Sequence, residues 1–315
     1  MFLAGCDGPQ SALVTAGYGA ERIAELFWWM LGGALIIWLL VVGTAVYAIR
    51  GHNHRFTSRH AYFLIVGGGA VFPTVVLGGL LIYALQLFAH LRDPADAGDF
   101  RVEVSGEQWW WRVRYVGPGG EKIELANEVR LPVNTVAELR LYSSDVIHSF
   151  WIPSLGGKMD MIPGRETRLL LQPTRTGTFR GVCAEYCGGS HALMAFPVVV
   201  MQPGEFAAWL QHQGTQAAQP EEEITRRGQH LFLANGCGSC HRIRGTAADG
   251  ELGPDLTHVG SRLSLGADTL PNNVNAFARW IAHTEQVKPQ VRMPSFGMLP
   301  QADVRAMALY LESLQ

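Results

Sequence analysis

The run C-A-E-Y-C-G-G-S-H-A-L-M, residues 183–194, carries the reading of the whole chain. It places two thiols (Cys183 and Cys187), an imidazole (His191) and a thioether (Met194) in one short loop. This soft ligand set favours copper over magnesium, calcium or manganese. The thioether argues against zinc. A mononuclear blue-copper site needs one Cys, two His and a weak axial Met, so one thiol is surplus to it. Two bridging thiolates suggest two coppers. A structural zinc loop or a Cys183–Cys187 disulfide is the competing reading.

Outward from this loop, residues 100–200 read as β structure. Short alternating runs from Phe100, from Trp109 to Val116, from Val136 to Tyr142 and from Ala195 to Val200 are separated by Gly, Pro and Asn turns. A β-sandwich suits that pattern, with one strand-to-strand loop supplying Cys183 through Met194 and His148 arriving from another connection. Alternation sends Trp109 and Trp111 to one face and Trp110 to the other.

Two earlier stretches, Leu26 to Ile49 and Ala61 to Ala89, contain no charged residue and are each long enough to cross a bilayer. Trp28 and Trp29 stand at one edge as interface anchors. Pro73 is placed to kink the second span. Gly67 to Gly69 and Gly78–Gly79 would let a neighbouring helix approach closely. The loop between the spans, residues 50–59, has three arginines and no acid, whereas Asp93, Asp96 and Asp99 follow the second span. The positive-inside rule therefore puts that loop in the cytoplasm and both long flanks outside. A net charge of −2 and a pI near 6.6 exclude a strongly basic nucleic-acid binder.

Downstream, C-G-S-C-H at residues 237–241 is the pattern of covalent c-type haem attachment, with Cys237 and Cys240 as thioethers and His241 as an iron ligand. A thioredoxin-like pair has no use for the following His and would sit in a βαβ context. Residues 212–219, H-Q-G-T-Q-A-A-Q, read as a flexible linker. Helices are expected from the acidic run after Pro220 through Ala234, and over Asp303 to Ser313; the resemblance to small cytochromes c implies that the two cross. Leu3-Ala4-Gly5-Cys6 looks like a lipobox, although only five residues precede Cys6, too few for the leader such a site requires.

Three signatures together resemble subunit II of the haem-copper cytochrome c oxidases. They are E-Q-W-W-W-R-V-R-Y at residues 107–115, the segment around His148 at residues 143–165, and the Cys183 loop. The resemblance covers about Glu21 to Leu210 and implies a CuA centre in a cupredoxin domain. Its ligands would be His148, Cys183, Cys187, His191 and Met194, with the backbone carbonyl of Glu185. The family's Glu185 carboxylate reaches a magnesium near subunit I, and its first tryptophan, here Trp109, is the electron-input point near the surface. With a haem domain attached, Trp109 is expected to face that domain instead. Asp145 and Asp160 flank His148 and would line the docking face. The family's proton-channel glutamate is replaced here by Leu64, Ile65 and Val66.

The C-terminal part resembles class I cytochromes c. That likeness implies Met293 as the axial ligand, with Met298 as the alternative, and Pro254 as the residue whose carbonyl accepts the His241 Nδ1–H. Met307 reads as core, while His258 and His283 are solvated or satisfied by backbone.

The expected architecture is a tail with a lipobox (1–20), a two-helix transmembrane hairpin (21–92), an all-β cupredoxin sandwich (93–210), a linker (211–224) and an all-α cytochrome c (225–315). The implied function is that of a caa3-type subunit II in a bacterial inner membrane, with both redox domains on the outer side. It would work with subunits I and III and take electrons from cytochrome c. The rival readings are the input subunit of a CuA-bearing nitric oxide reductase and a membrane-anchored electron carrier. A nitrous oxide reductase would need a histidine-rich propeller, and a quinol oxidase subunit lacks the copper ligands.

Overall fold

The structure, a computed structural model, describes residues 8–50, 57–92, 100–117 and 119–315. The chain divides into two compact units: residues 21–95, and the remainder. Cys6, Asn53 and Asp93 to Asp99 lie outside the described residues.

The smaller unit consists of two long apolar helical stretches. Helix α1 spans Tyr18–Arg50, and the second stretch is built of α2 (Ser58–Tyr62), a π-helical segment (Phe63–Val71) and α3 (Phe72–Arg92). Both stretches are long and apolar enough to cross a membrane, with their most apolar windows unburied. The π-helical winding ends just ahead of Pro73, where a kink was expected. Proline donates no hydrogen bond and crowds the carbonyl four residues earlier, and a wider turn relieves both. Added Cβ atoms at Gly68, Gly69, Gly78 and Gly79 would touch nothing, so these backbones lie open.

The larger unit begins with residues 8–17. Ala16 donates its amide to Ser154 O and accepts from Thr174 N, and Gly17 pairs with Pro173. Only glycine fits at position 17, where a Cβ would lie 2.5 Å from the Leu155 carbonyl oxygen. The described part of the expected tail is therefore fixed to the sandwich.

Two five-stranded sheets form that sandwich. The first has the order β3 (Lys122–Ala126), β2 (Trp110–Val116), β1 (Arg101–Glu107), β5 (Ala137–Ser143), β8 (Thr167–Leu171). The second has the order β4 (Val129–Pro132), β10 (Ala195–Met201), β9 (Gly177–Cys183), β6 (His148–Trp151), β7 (Met159–Met161). Pairing is antiparallel except between β1 and β5 and between β4 and β10. Strand alternation drives the layering: β1 buries Val102, Val104 and Gly106, and turns Arg101 and Glu103 outward to Glu138 and Lys122. Between the sheets, Trp111 lies edge-on to Phe150 at 5.6 Å and to Phe196 at 5.1 Å. Trp109 and Trp111 are buried and Trp110 is half-buried, although Trp109 lies in the turn just before β2 rather than in the strand.

Helix α4 (Pro203–Gln213) was not foreseen. Pro203 starts it, Gln202 and Glu205 form a capping box, and Phe206 packs edge-on against Phe100 at 5.2 Å. The linker expected to be flexible is held down, because His212 and Gln213 end this helix, Gln213 is buried, and Ala217 donates its amide to Arg244 O.

The cytochrome-like part contains α5 (Glu223–Ala234), a two-stranded ribbon of β11 (Ser264–Leu265) and β12 (Leu270–Pro271), α6 (Val274–Ala282), α7 (Thr284–Val287) and α8 (Gln301–Glu312). Helices α5 and α8 cross where Gly228 meets the Ala306 carbonyl; a Cβ at 228 would stand 2.1 Å from that oxygen. Phe232, Tyr310 and Met307 fill the core around the crossing.

Candidate metal centre

The loop after β9 and the start of β6 converge at one end of the second sheet, where Phe150 pairs with Cys183. Cys183 Sγ lies 3.9 Å from His148 Nδ1, 3.2 Å from Glu185 O and 3.8 Å from Cys187 Sγ. Cys187 Sγ lies 3.5 Å from His191 Nδ1 and 3.9 Å from Met194 Sδ. At 3.8 Å the thiols form no disulfide, and each has its own imidazole neighbour.

The donor set fits a copper pair. Two sulfurs stand at the centre with one histidine beside each, a thioether beside Cys187 and a carbonyl beside Cys183. His148 is fully buried, and its Nε2 meets Asp145 Oδ1 at 2.8 Å, which leaves Nδ1 free to coordinate. Asp145, expected on a docking face, instead turns inward; its other oxygen accepts from Gln108 N at 2.7 Å. Gly106 makes room for the ring, since a Cβ there would stand 2.8 Å from His148 Cδ2.

Electrostatics reflect the crowding. Burial opposes a charge on His148, but the hydrogen bonds to Asp145 and Cys183 outweigh it and raise its pKa to about 9. The hydrogen bond from Cys187 favours the Cys183 thiolate, whose pKa falls to about 3, while the same contact pushes Cys187 upward. Metal binding to such a site displaces the protons these groups hold.

Trp109 is 5% exposed, and its Nε1 donates to Cys187 O at 3.0 Å, alongside Gln108 Nε2 at 2.8 Å. Lys288, from the cytochrome-like part, donates to Trp109 O at 2.6 Å and lies buried, which lowers its pKa to about 7. The Glu185 carboxylate points outward, 3.9 Å from Lys158 Nζ, and Ser149 Oγ donates to Asp160 at 2.8 Å.

In the cytochrome-like part, Cys237 and Cys240 are free thiols at the start of the C-x-x-C-H turn. His241 Nδ1 lies 2.8 Å from Pro254 O, which accepts its proton and leaves Nε2 for iron. Gly253 lets the ring sit close, since a Cβ would stand 2.6 Å from His241 Cε1. These features fit a covalent haem. Met293 is half-buried, whereas Met298 is 78% exposed. His258 is buried, with Nδ1 at 2.7 Å from Gln315 O and Nε2 at 3.3 Å from Thr215 O, and His283 is exposed.

Asp145, Gly106, Gln108 and Lys288 are the residues that reading the sequence did not assign to the site. Only Asp145, three residues before His148, gave a local signal.

Comparison with known proteins agrees with the architecture. Residues 116–202 match the model of the cytochrome c oxidase subunit II periplasmic domain, and residues 225–315 match the cytochrome c model. Cytochrome c oxidase subunit 2 of Alkalihalophilus pseudofirmus is 33% identical over 243 residues, covering 76% of this chain and 69% of that protein. The Bacillus subtilis protein of the same name is 31% identical over 224 residues, covering 68% of this chain, which spans 62% of that relative's length. Among solved structures, the periplasmic domain of subunit II of cytochrome oxidase from Bradyrhizobium japonicum is 34% identical, covering 36% of this chain and 93% of that one, with a TM-score of 0.35.

Proposed function

The chain belongs to the cytochrome c oxidase subunit II family, with a cytochrome c domain joined to it, and on that premise we propose that it is the electron-input subunit of a caa3-type oxidase. Membership of the two families brings copper and haem c, other oxidase subunits, a cytochrome c partner and membrane anchorage with it. The finer reading is a binuclear CuA held by His148, Cys183, Cys187, His191, Met194 and the Glu185 carbonyl. The haem is joined to Cys237 and Cys240 and held by His241 and Met293. When bound, these groups supply one-electron transfer between a cytochrome c donor and the oxygen-reducing site of subunit I.

The observation that carries this reading is the thiol pair 3.8 Å apart with an imidazole nitrogen beside each sulfur. A zinc site would have no use for the thioether, and a disulfide would have no use for the histidines. Asp145 fixes the His148 ring, and the buried walls of Trp111, Phe150 and Met161 keep water from its inner side. The Pro254 carbonyl does for His241 what Asp145 does for His148.

The same reading places subunits I and III beside the two apolar helices, with the redox domains on the outer side of a bacterial inner membrane. The Glu185 side chain would share a magnesium with subunit I, and a lipid on Cys6 would add an anchor. Domain limits of 21–92, 93–210 and 225–315 follow, with 211–224 joining the last two. Rapid mixing of the assembled complex with reduced cytochrome c tests the function. Haem c should reduce before copper, and His148→Asn should hold the electrons on haem c. Full-speed reduction of subunit I in that variant would exclude this path.

A further inference from the structure

Lys288 is 1% exposed, and its ammonium donates to two carbonyls, Trp109 O at 2.6 Å in the copper domain and Gly266 O at 2.8 Å in its own. Burying an ammonium is costly, and replacing buried charges by well-packed apolar side chains is often neutral or stabilising. A cation kept at such a cost, on acceptors from two domains, is suited to fixing their register rather than to adding stability.

The register concerns the iron and copper loops. Trp109 in turn donates through Nε1 to Cys187 O, so a single residue separates the ammonium from a copper ligand. Next to Lys288, the Pro289 carbonyl accepts from Ser190 Oγ at 2.6 Å, and Ser190 directly precedes His191. A Cβ at Gly189 would stand 2.3 Å from Gln290 Oε1, so the two segments are in close contact. Met293 follows within five residues of Lys288. On the side of His241, Arg112 donates to Glu251 O at 2.9 Å, three residues before Pro254. Both segments bearing iron ligands are thus tied to the copper domain.

We propose that Lys288 is a positioning residue that locks the Met293 loop onto the Cys187–His191 loop, holding haem c in one pose against the copper site and closing Trp109 to external donors. The inference rests on the copper and haem assignments above.

The test uses the full-length protein loaded with both cofactors. Lys288→Met, which keeps the length of the side chain without its charge, should retain haem and the copper EPR signal. It should slow haem-to-copper transfer about tenfold or more and speed amide exchange in residues 187–191. Arg180→Gln, which breaks the 2.6 Å contact with Asp268 elsewhere in the same interface, should leave the transfer rate at the wild-type value. Unchanged transfer in Lys288→Met, or equal slowing in Arg180→Gln, overturns the proposal. Should Lys288→Met fail to fold, the wild-type protein decides: acetic anhydride should modify the exposed Lys122 and Lys158 and spare Lys288, and modification of Lys288 at their rate overturns the docked pose. Absence of any haem-to-copper transfer in the wild type would instead remove the cofactor assignments themselves.

Discussion

His148 turns Nε2 to Asp145 Oδ1 at 2.8 Å, and the same ring presents Nδ1 to Cys183. The carboxylate selects the tautomer and the ring angle. Asp145→Asn keeps the size but weakens that hold, so copper affinity should fall about 10–100-fold. Competition with a calibrated chelator measures it. Unchanged affinity would mean that the contact has no orienting role.

Met293 and Met298 differ in setting, one half-buried and the other projecting into solvent. Met293→Ala should lower the haem potential and remove the thioether-to-iron absorption while leaving the haem covalently attached, since attachment needs only Cys237 and Cys240. Redox titration of both alanine variants separates them, and a drop in Met298→Ala alone would exchange their roles.

The α5–α8 crossing has no space for a side chain at Gly228, where the obstacle is the Ala306 backbone. Gly228→Ala should destabilise the haem domain by about 1–3 kcal/mol, read from denaturant unfolding followed by haem absorbance. The copper EPR signal should persist, because the sandwich core is separate from this one.

Sidedness rests on the arginines between the spans. Single cysteines at Asn53 and Gln216, in a background with the other reactive thiols blocked, should differ in intact cells. A membrane-impermeant reagent should label Gln216→Cys and spare Asn53→Cys. The reverse pattern would invert the proposed orientation.

What could be read from the sequence was local. The copper run, the haem motif, the apolar spans and the alternating strands each occupy one continuous stretch, and each has its own period or spacing. What escaped depends on contacts between distant residues. Nothing around Lys288 shows that Trp109, 179 residues away, will supply its acceptor. Nothing around Gly106 shows that the His148 ring will need its space. Residues 212–219 look like a tether because nothing within them shows that Arg244 will bind Ala217. Helix α4 is a different case, because Pro203 and Glu205 signal its start locally.

The proposed function turns on Cys183 and Cys187 bridging a pair of coppers. Copper analysis with EPR on the purified full-length protein tests it most directly. Two coppers per chain are expected, with a mixed-valence signal that is lost in either Cys→Ser variant. A single copper with a mononuclear blue-copper spectrum would contradict it.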